Sequence, residues 1–551
     1  MYIDISQSGK YKRVLLRESY RKEGKVEKRT ISNISNCSDS DIKAIQFALT
    51  HKSKIPQMLD FLNGQSLPCD EISNLVYGKS IGASFAIAEL AKRVGITQAL
   101  GTGRNAQLAL WQILARTIAQ GSRLSAVRLD QIHALGALVN LEKGFCEDDL
   151  YKNLAWLTEN QDAIEDKIFH FRNKGNAINL LLYDVTSSYL EGQNNALANF
   201  GYNRDGKKGK KQIVIGLLCD HEGKPVSVQV FLGNTSDPKT FNDQIKKASN
   251  RFGCKKVTFV GDRGMIKSAQ KKDLAEADFS YITALTKSQI ETLEKNKIIH
   301  LGLFDDEICE VSWENIRYIL RRNPVREEEM AKSRNSKELS IELFCAKLNL
   351  YLKEHPKAIV EKALEKITAK IGKLKCKWLI PKLEGRAIVI EKDEVLLKEA
   401  TRLDGCYVIT TDLPMDLADT EMIHKNYKDL QKVERAFRES KTGHLELRPI
   451  HVRTEASTRG HVLVVMLAYI LRMEMDKKWE CINTTVEEGI AGLTAVSGII
   501  LSETENITML GVPRQNEFCT KLLKALKIEL PKTIIQRKLK VDTRKKTKIR
   551  P

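Results

Sequence analysis

The chain has 551 residues, a length that suggests roughly three to four domains. Its 42% hydrophobic content is that of an ordinary soluble protein. A net charge of +19 and a pI near 9.2 point to a polyanionic partner, nucleic acid ahead of an anionic membrane surface. Eleven cysteines stand singly with no C-x-x-C pair. That argues against a cysteine zinc centre and a disulfide framework, and for a reducing compartment. The first residues, MYIDISQSGKYKR, lack the apolar run of a secretory signal. The most apolar stretch, HVLVVMLAYIL at 461–471, is shorter than the roughly 20 residues of a membrane span. It is expected to be a buried helix of a soluble, cytoplasmic protein with no membrane partner.

In chain order, residues 1–75 predict a small β-rich module. YKRVLLRESYR and VEKRTISNI form two strands around the turn KEGK, with basic residues on both. That ribbon suits DNA contact or plain solvation. Residues 76–170 carry helical apolar spacing with Arg104, Arg116, Arg123 and Arg128 interspersed, compatible with a helical DNA-binding region or an ordinary bundle. Residues 171–288 predict three strands (AINLLLYDVTSSYL, QIVIGLLCD, PVSVQVFLG), a helix from Asp237 to Gly253, a strand in KKVTFVGDRG, a helix, and the strand FSYITAL. That βββαβαβ succession is the ribonuclease-H-like order. An α/β fold with such a core is therefore expected.

Residues 289–405 interrupt the core as a basic, partly helical insertion domain. Residues 406–480 resume it with the strand CYVITTD and one long helix over about 419–441, stopped near Gly443. Residues 481–551 form a C-terminal helical region. Its basic tail has nine Lys or Arg against one Asp from 531 onward, a composition suited to polyanions.

Two acids mark the strand ends of this core. Asp184 closes INLLLYD and Asp262 closes VTFVGD. A carboxylate at the end of an apolar strand is costly unless it is paired or holds metal. The carboxyl ends of strands are also where α/β sheets gather their sites. Glu434, amid Leu430, Val433 and Phe437 on the late helix, is the candidate third acid. Each acid alone has an ordinary structural explanation, such as a Glu434–Arg438 pair at i+4. Together they make a hard oxygen set suited to Mg²⁺ or Mn²⁺, with a pair of ions expected. GKKGKKQ at 206–212 lacks the spacing and Ser/Thr of a phosphate-binding loop, so no nucleotide cofactor is expected.

YDVTSSYLEG, GLLCDHEGKPVSVQVFLGNTSD, VGDRGM and YKDLQKVERAFRESK together resemble the bacterial insertion-sequence DDE transposases. They are most similar to the branch with a Tyr…Arg…Glu…Lys signature helix, over roughly residues 177–475. The resemblance implies that Asp184, Asp262 and Glu434 are the catalytic, metal-holding trio. It implies an enzyme that cleaves transposon-end inverted repeats and joins them to target DNA, expected as a homodimer near the bacterial nucleoid. Tyr427 and Lys441 match the signature at seven residues before and after Glu434, close to two helical turns each way. The signature Arg is replaced by Leu430, with Lys428 or Lys432 as substitutes. Expected DNA contacts are Tyr427, Lys428, Arg438, Lys441, Arg448 and Arg459, with Arg453 and His461 nearby. An aromatic of the insertion, Trp313 or Trp378, would serve an unstacked base. Two other functions remain open on the residues: a structure-specific nuclease of ribonuclease-H-like fold, and a non-enzymatic DNA-binding regulator.

Overall fold

The computed structural model describes residues 1–8, 11–22, 25–50, 52, 76–176, 178–192, 194–305, 307–442 and 445–539. The chain divides into two units. One is Met1–Arg172 with Asn194–Ala196 and Glu439–Pro551; the other is Asn173–Gln193 with Leu197–Arg438.

The first unit opens with β1 (Tyr2–Ser8), β2 (Tyr11–Lys22) and β3 (Lys25–Asn33), an antiparallel sheet followed by α1 (Asp39–Thr50). Three strands stand where two were expected. Val14, Leu15 and Ile42 are buried here. Arg17 pairs with Asp4 at 2.6 Å and Arg29 with Glu18 at 2.8 Å, so part of the ribbon's basic charge is locally matched. Residues 53–75 and the centre of the KEGK turn lie outside the described residues.

Next come β4 (Tyr77–Ser80) and a helical stretch with α2 (Gly82–Arg93), α3 (Arg104–Ile118), α4 (Glu147–Glu159) and α5 (Gln161–Asn173) as its longer members. Of the four interspersed arginines, Arg104 and Arg128 are exposed and the other two are buried. Arg116 is 6% exposed and bonded to Glu446, and Arg123 is 5% exposed with its guanidinium donating to His461 Nδ1 at 3.0 Å. Their stems share the helical apolar face, so the bundle takes them inside.

The second unit is built on one mixed sheet of eight strands. Its strands, in chain order, are β5 (Leu180–Tyr189), β6 (Gln212–Asp220), β7 (Pro225–Phe231), β8 (Thr258–Gly261), β9 (Ser280–Ala284), β10 (Cys309–Trp313), β11 (Ile316–Arg322) and, after an intervening subdomain, β14 (Cys406–Thr411). Helices α6 (Asp237–Lys246), α7 (Ser268–Glu276) and α8 (Lys287–Lys295) link the middle strands. The spatial order is β10-β11-β14-β9-β8-β5-β6-β7. β5, β6 and β7 pair antiparallel, whereas β8 runs parallel to β5 and β9 parallel to β8. The expected succession of three strands, helix, strand, helix, strand is therefore present. The first strands of the stretch 289–405, β10 and β11, belong to the same sheet, β11 pairing with β14 and β14 with β9.

The rest of the insertion makes its own small core. α9 (Pro324–Glu354), α10 (Val360–Leu374), the hairpin β12 (Leu379–Glu384) with β13 (Ala387–Lys392), and α11 (Glu394–Thr401) enclose Ile341, Ile367, Cys376, Trp378 and Ile388. Trp378 is 7% exposed and donates its indole N–H to Glu338 at 2.6 Å, so it is a packing residue. Trp313, on β10, is 43% exposed.

After β14 come α12 (Thr420–Lys428) and α13 (Leu430–Lys441), two helices where one was expected. Asp429 N–H bonds back to Lys425, but Lys432 N–H bonds only three residues back, to Asp429, which tightens the chain into a turn between them.

In the first unit, α14 (Glu455–Trp479) buries all of residues 461–471, as their composition predicts. Gly460 lets it close on the Leu154 carbonyl of α4, where a Cβ would overlap. Among the described residues no helix is long and apolar enough to cross a membrane. The stretch beyond is not simply helical. Besides α15 (Val486–Thr494) and α16 (Glu517–Leu526) it holds β15 (Ser497–Glu503), β16 (Ile507–Gly511) and β17 (Thr533–Arg537), ordered β17-β16-β15-β4. The β-branched runs SGIILSE and ITMLG make a hairpin whose outer partner, β4, lies far away in sequence. Residues 540–551 of the basic tail are outside the described residues.

The centre of the large sheet carries a chain of ring contacts, Tyr183–Phe241–Phe259–Phe279, with centroids 5.4–5.7 Å apart. Gly216 on β6 faces the Tyr183 phenol so closely that a Cβ would overlap the hydroxyl. Gly216→Ala is expected to lower unfolding free energy by about 1–3 kcal/mol through overpacking. Denaturant unfolding checks this; an unchanged midpoint would contradict the packing described.

Candidate functional site

The site starts from strand register. β5 and β8 pair in parallel from Leu180 with Thr258 to Tyr183 with Gly261. The next residue on each chain is Asp184 and Asp262. The expectation that Asp184 ends its strand is corrected: β5 continues to Tyr189, still paired with β6. What ends at Asp184 is the parallel ladder, because β8 stops at Gly261. Both carboxylates therefore stand where one ladder gives out.

Asp184 is half-buried and Asp262 exposed. Asp184 Oδ1 accepts the Val185 N–H at 2.7 Å, and Asp262 Oδ1 accepts the Arg263 N–H at 2.7 Å. Burial pushes the Asp184 carboxyl up to about 7. The Val185 N–H opposes that shift, the negative charges of Asp262 and Glu434 add to it, and Arg204 opposes it. Glu434 thus joins the two aspartates electrostatically, from an exposed position on α13. Tyr427 lies against the same group. Burial raises its phenol, Asp262 adds to this both by charge and by a hydrogen bond, Glu434 adds by charge, and Arg263 opposes.

Several features hold these elements. α13 approaches the β6–β7 turn, where Gly223 has φ +81° and a Cβ would meet Lys432 Cβ at 2.6 Å. Lys432 Nζ donates to the His221 carbonyl at 2.7 Å and pairs with Asp429 at 3.0 Å. Lys432 therefore braces the helix start instead of replacing the missing signature Arg. Leu430, which occupies that Arg position, is buried as the first residue of α13. Lys428 is exposed on α12 and Arg438 on α13.

Lys441, Arg448 and Arg459 belong to the other unit. Lys441 is buried, Arg448 is half-buried, and Arg459 pairs with Glu455 at 2.8 Å. Arg453 is exposed. His461 is 7% exposed, with its pKa driven well down by burial and then by Arg123 and Arg116. That removes it from the candidate DNA contacts.

Two residues without any motif stand beside these acids. Arg204, in the β5–β6 loop, acts on Asp184 and pairs with Asp237 at 2.5 Å. Asp237, read only as a helix start, sits beside the turn after β8, 3.8 Å from where a Gly264 Cβ would lie. Neither carries a spacing signal, since they meet through loops.

The donors suit a hard divalent cation: carboxylates whose mutual repulsion such a charge would relieve. Among the described residues, however, no three His, Cys, Asp or Glu side chains group closely enough to hold one ion.

The raised Asp184 pKa sets a pH dependence. The folded chain holds this proton more tightly than the unfolded chain, whose Asp titrates near pH ~4. The associated stability is full below that value and is lost as pH rises toward about 7. In chelator, Asp184→Asn should therefore melt higher than wild type above neutrality and gain nothing in acid. Thermal melts across that range check this, and a gain independent of pH would contradict it.

A family model described as "Transposase DDE domain" matches residues 175–471, and one described as "IS1634 family transposase, N-terminal domain" matches residues 3–57. No protein of curated function matches the chain. Among solved structures, the chain is similar to a piggyBac transposase synaptic complex with hairpin DNA, at 8% identity and a TM-score of 0.33, covering 80% of this chain and 77% of that one. It is also similar to a Mos1 transposase paired-end complex with the left transposon end, at 11% identity and a TM-score of 0.15, covering 33% and 59%. With more than half its length matched by the domain model, the chain belongs to the DDE transposases of insertion sequences, enzymes that cleave DNA and transfer its strands.

Proposed function

We propose that Asp184, Asp262 and Glu434 are the catalytic acids of this transposase, on a ribonuclease-H-like core, and that they hold Mg²⁺ or Mn²⁺ at the phosphodiester being cut. The observation that carries this is the shared field of the three acids at the end of the β5/β8 ladder. Divalent ions held there would supply charge stabilisation for an in-line displacement.

The chain's own residues do the rest. Asp184 must be ionised to act, so its proton leaves on loading. Tyr427, bonded to Asp262, holds that carboxylate in one orientation. Arg204, fixed by Asp237, tempers the negative charge around Asp184. Lys428 and Arg438 are exposed on the helices carrying Tyr427 and Glu434, and suit backbone phosphates. Lys441 of the signature, and Arg448 and Arg459 in the stretch that follows it, are assigned to DNA by resemblance.

The substrate is transposon-end DNA, joined to target DNA by a dimer in a cut-and-paste reaction. Transesterification conserves bond energy, so no nucleotide cofactor is needed.

Asp184→Asn, Asp262→Asn and Glu434→Gln should each reduce end cleavage roughly a thousandfold or more while leaving end binding in place. Given pre-cleaved ends, wild type should join them to target. Cleavage without joining would instead identify a nuclease, and full activity in Asp184→Asn would refute the acid assignment. End binding should weaken about a thousandfold between ~50 and ~200 mM salt. A flat response would remove the basic surface from the interface.

A further inference from the structure

The loop between β5 and β6 is unlike the other connections of the sheet. Residues 199–211, NFGYNRDGKKGKK, carry five basic side chains against one carboxylate, Asp205. They also show two aromatics to solvent, Phe200 at 62% and Tyr202 at 81% exposure. Lys211 Nζ lies 5.9 Å from the Phe200 ring centroid, and the Arg204 guanidinium 5.6 Å from that of Tyr202.

Despite its three glycines, the loop is held throughout. Buried Gln212 donates to the carbonyls of Tyr202 at 3.0 Å and Gly233 at 2.9 Å. Asn199 and Gln212 exchange backbone hydrogen bonds at 3.0 Å, and Leu190 N–H bonds to the Lys211 carbonyl at 2.9 Å. Arg204 N–H bonds to Ser187 Oγ at 3.0 Å, on the strand that carries Asp184. Beneath Phe200, a cavity of about 290 Å³ is lined by Leu190, Glu191, Gly192, Gly209, Lys210 and Lys211. Lys210 pairs with Glu191 across it at 2.8 Å.

A planar apolar ring, flanking ammonium groups and a small fixed cavity together match an unpaired nucleotide. The base has a π-face for stacking and the phosphate a charge for the lysines. Duplex DNA would use the charge but not the ring. A loop backbone held in place before binding also saves ordering entropy.

We propose that this pocket binds an unpaired nucleotide of single-stranded DNA, its base stacked on Phe200 and its phosphate beside Lys210 and Lys211. The proposal rests on the DNA-cleaving reading of the same unit. Leu190, the residue after β5, is six residues from Asp184, at most about 20 Å, or roughly six stacked nucleotides. The nucleotide would thus lie within about six positions of the cut, with Tyr202 as a second stacking face.

The test uses the full chain and two labelled probes, a 20-nucleotide oligodeoxythymidylate and a random-sequence 20-base-pair duplex. Phe200→Ala should weaken oligothymidylate binding roughly 5- to 150-fold, the range for loss of one base–aromatic stack. Phe200→Trp should retain binding, and duplex binding should change less than about twofold in both. Tyr202→Ala should weaken the single strand as well. Phe200 and Tyr202 are exposed, and melting curves check that each variant folds. Equal losses on both probes, or no loss on the single strand, would overturn the pocket. A wild type that cleaves no ends but binds oligothymidylate through Phe200 would keep the pocket and count against the catalytic reading alone.

Discussion

A carboxylate inside a β-strand, with two other carboxylates as its electrostatic neighbours, is the constraint around which the second unit is organised. Burial and like charge both penalise the ionised form of Asp184 and raise its pKa to about 7. The structure offsets that penalty only partly. The Val185 N–H is one favourable contact, and Arg204 is another, itself held by Asp237. Part of the cost remains for a bound cation or a proton to settle. Keeping such a group in place demands a rigid surround, and the ring chain through Tyr183 behind the strand supplies one.

The third acid depends on a different device. α13 must lie close to the β6–β7 turn for Glu434 to be felt at Asp184. The left-handed Gly223 admits Lys432 there, and Lys432 closes the contact on the His221 carbonyl. The tight turn at Asp429 then sets α12 apart, so Tyr427 reaches Asp262 from a separate helix. The broken helix thus has a geometric purpose: two side chains that would share a face on a straight helix approach the acids from two rods.

Much of this was legible in the residues. Apolar runs ending in Asp marked β5 and β8, and the hairpin signals between them marked β6 and β7, so the succession of elements and the acid pair could be read directly. The signature spacing pointed to Glu434 and Tyr427. What could not be read is what depends on distant partners. β4 pairs with β15 across more than 400 residues, which leaves no local signal. Arg116, Arg123 and His461 have the composition of a basic surface but sit inside, because helix-face burial is decided by what packs against it. Trp313 and Trp378 are indistinguishable as letters, yet one is exposed and the other closes a core. The apolar run of β5 stops at Asp184, but pairing with β6 carries the strand on.

We propose that the three acids share one site that takes a divalent cation. The most direct measurement is calorimetric titration of Mn²⁺ into the full chain near neutral pH, repeated in buffers of different ionisation enthalpy. Binding should be accompanied by release of up to about one proton per chain, as Asp184 gives up its own. In Asp184→Asn, binding should weaken and the proton should vanish, and Glu434→Gln should weaken binding as well. Mn²⁺ bound equally well by wild type and both variants, with no proton released, would contradict it.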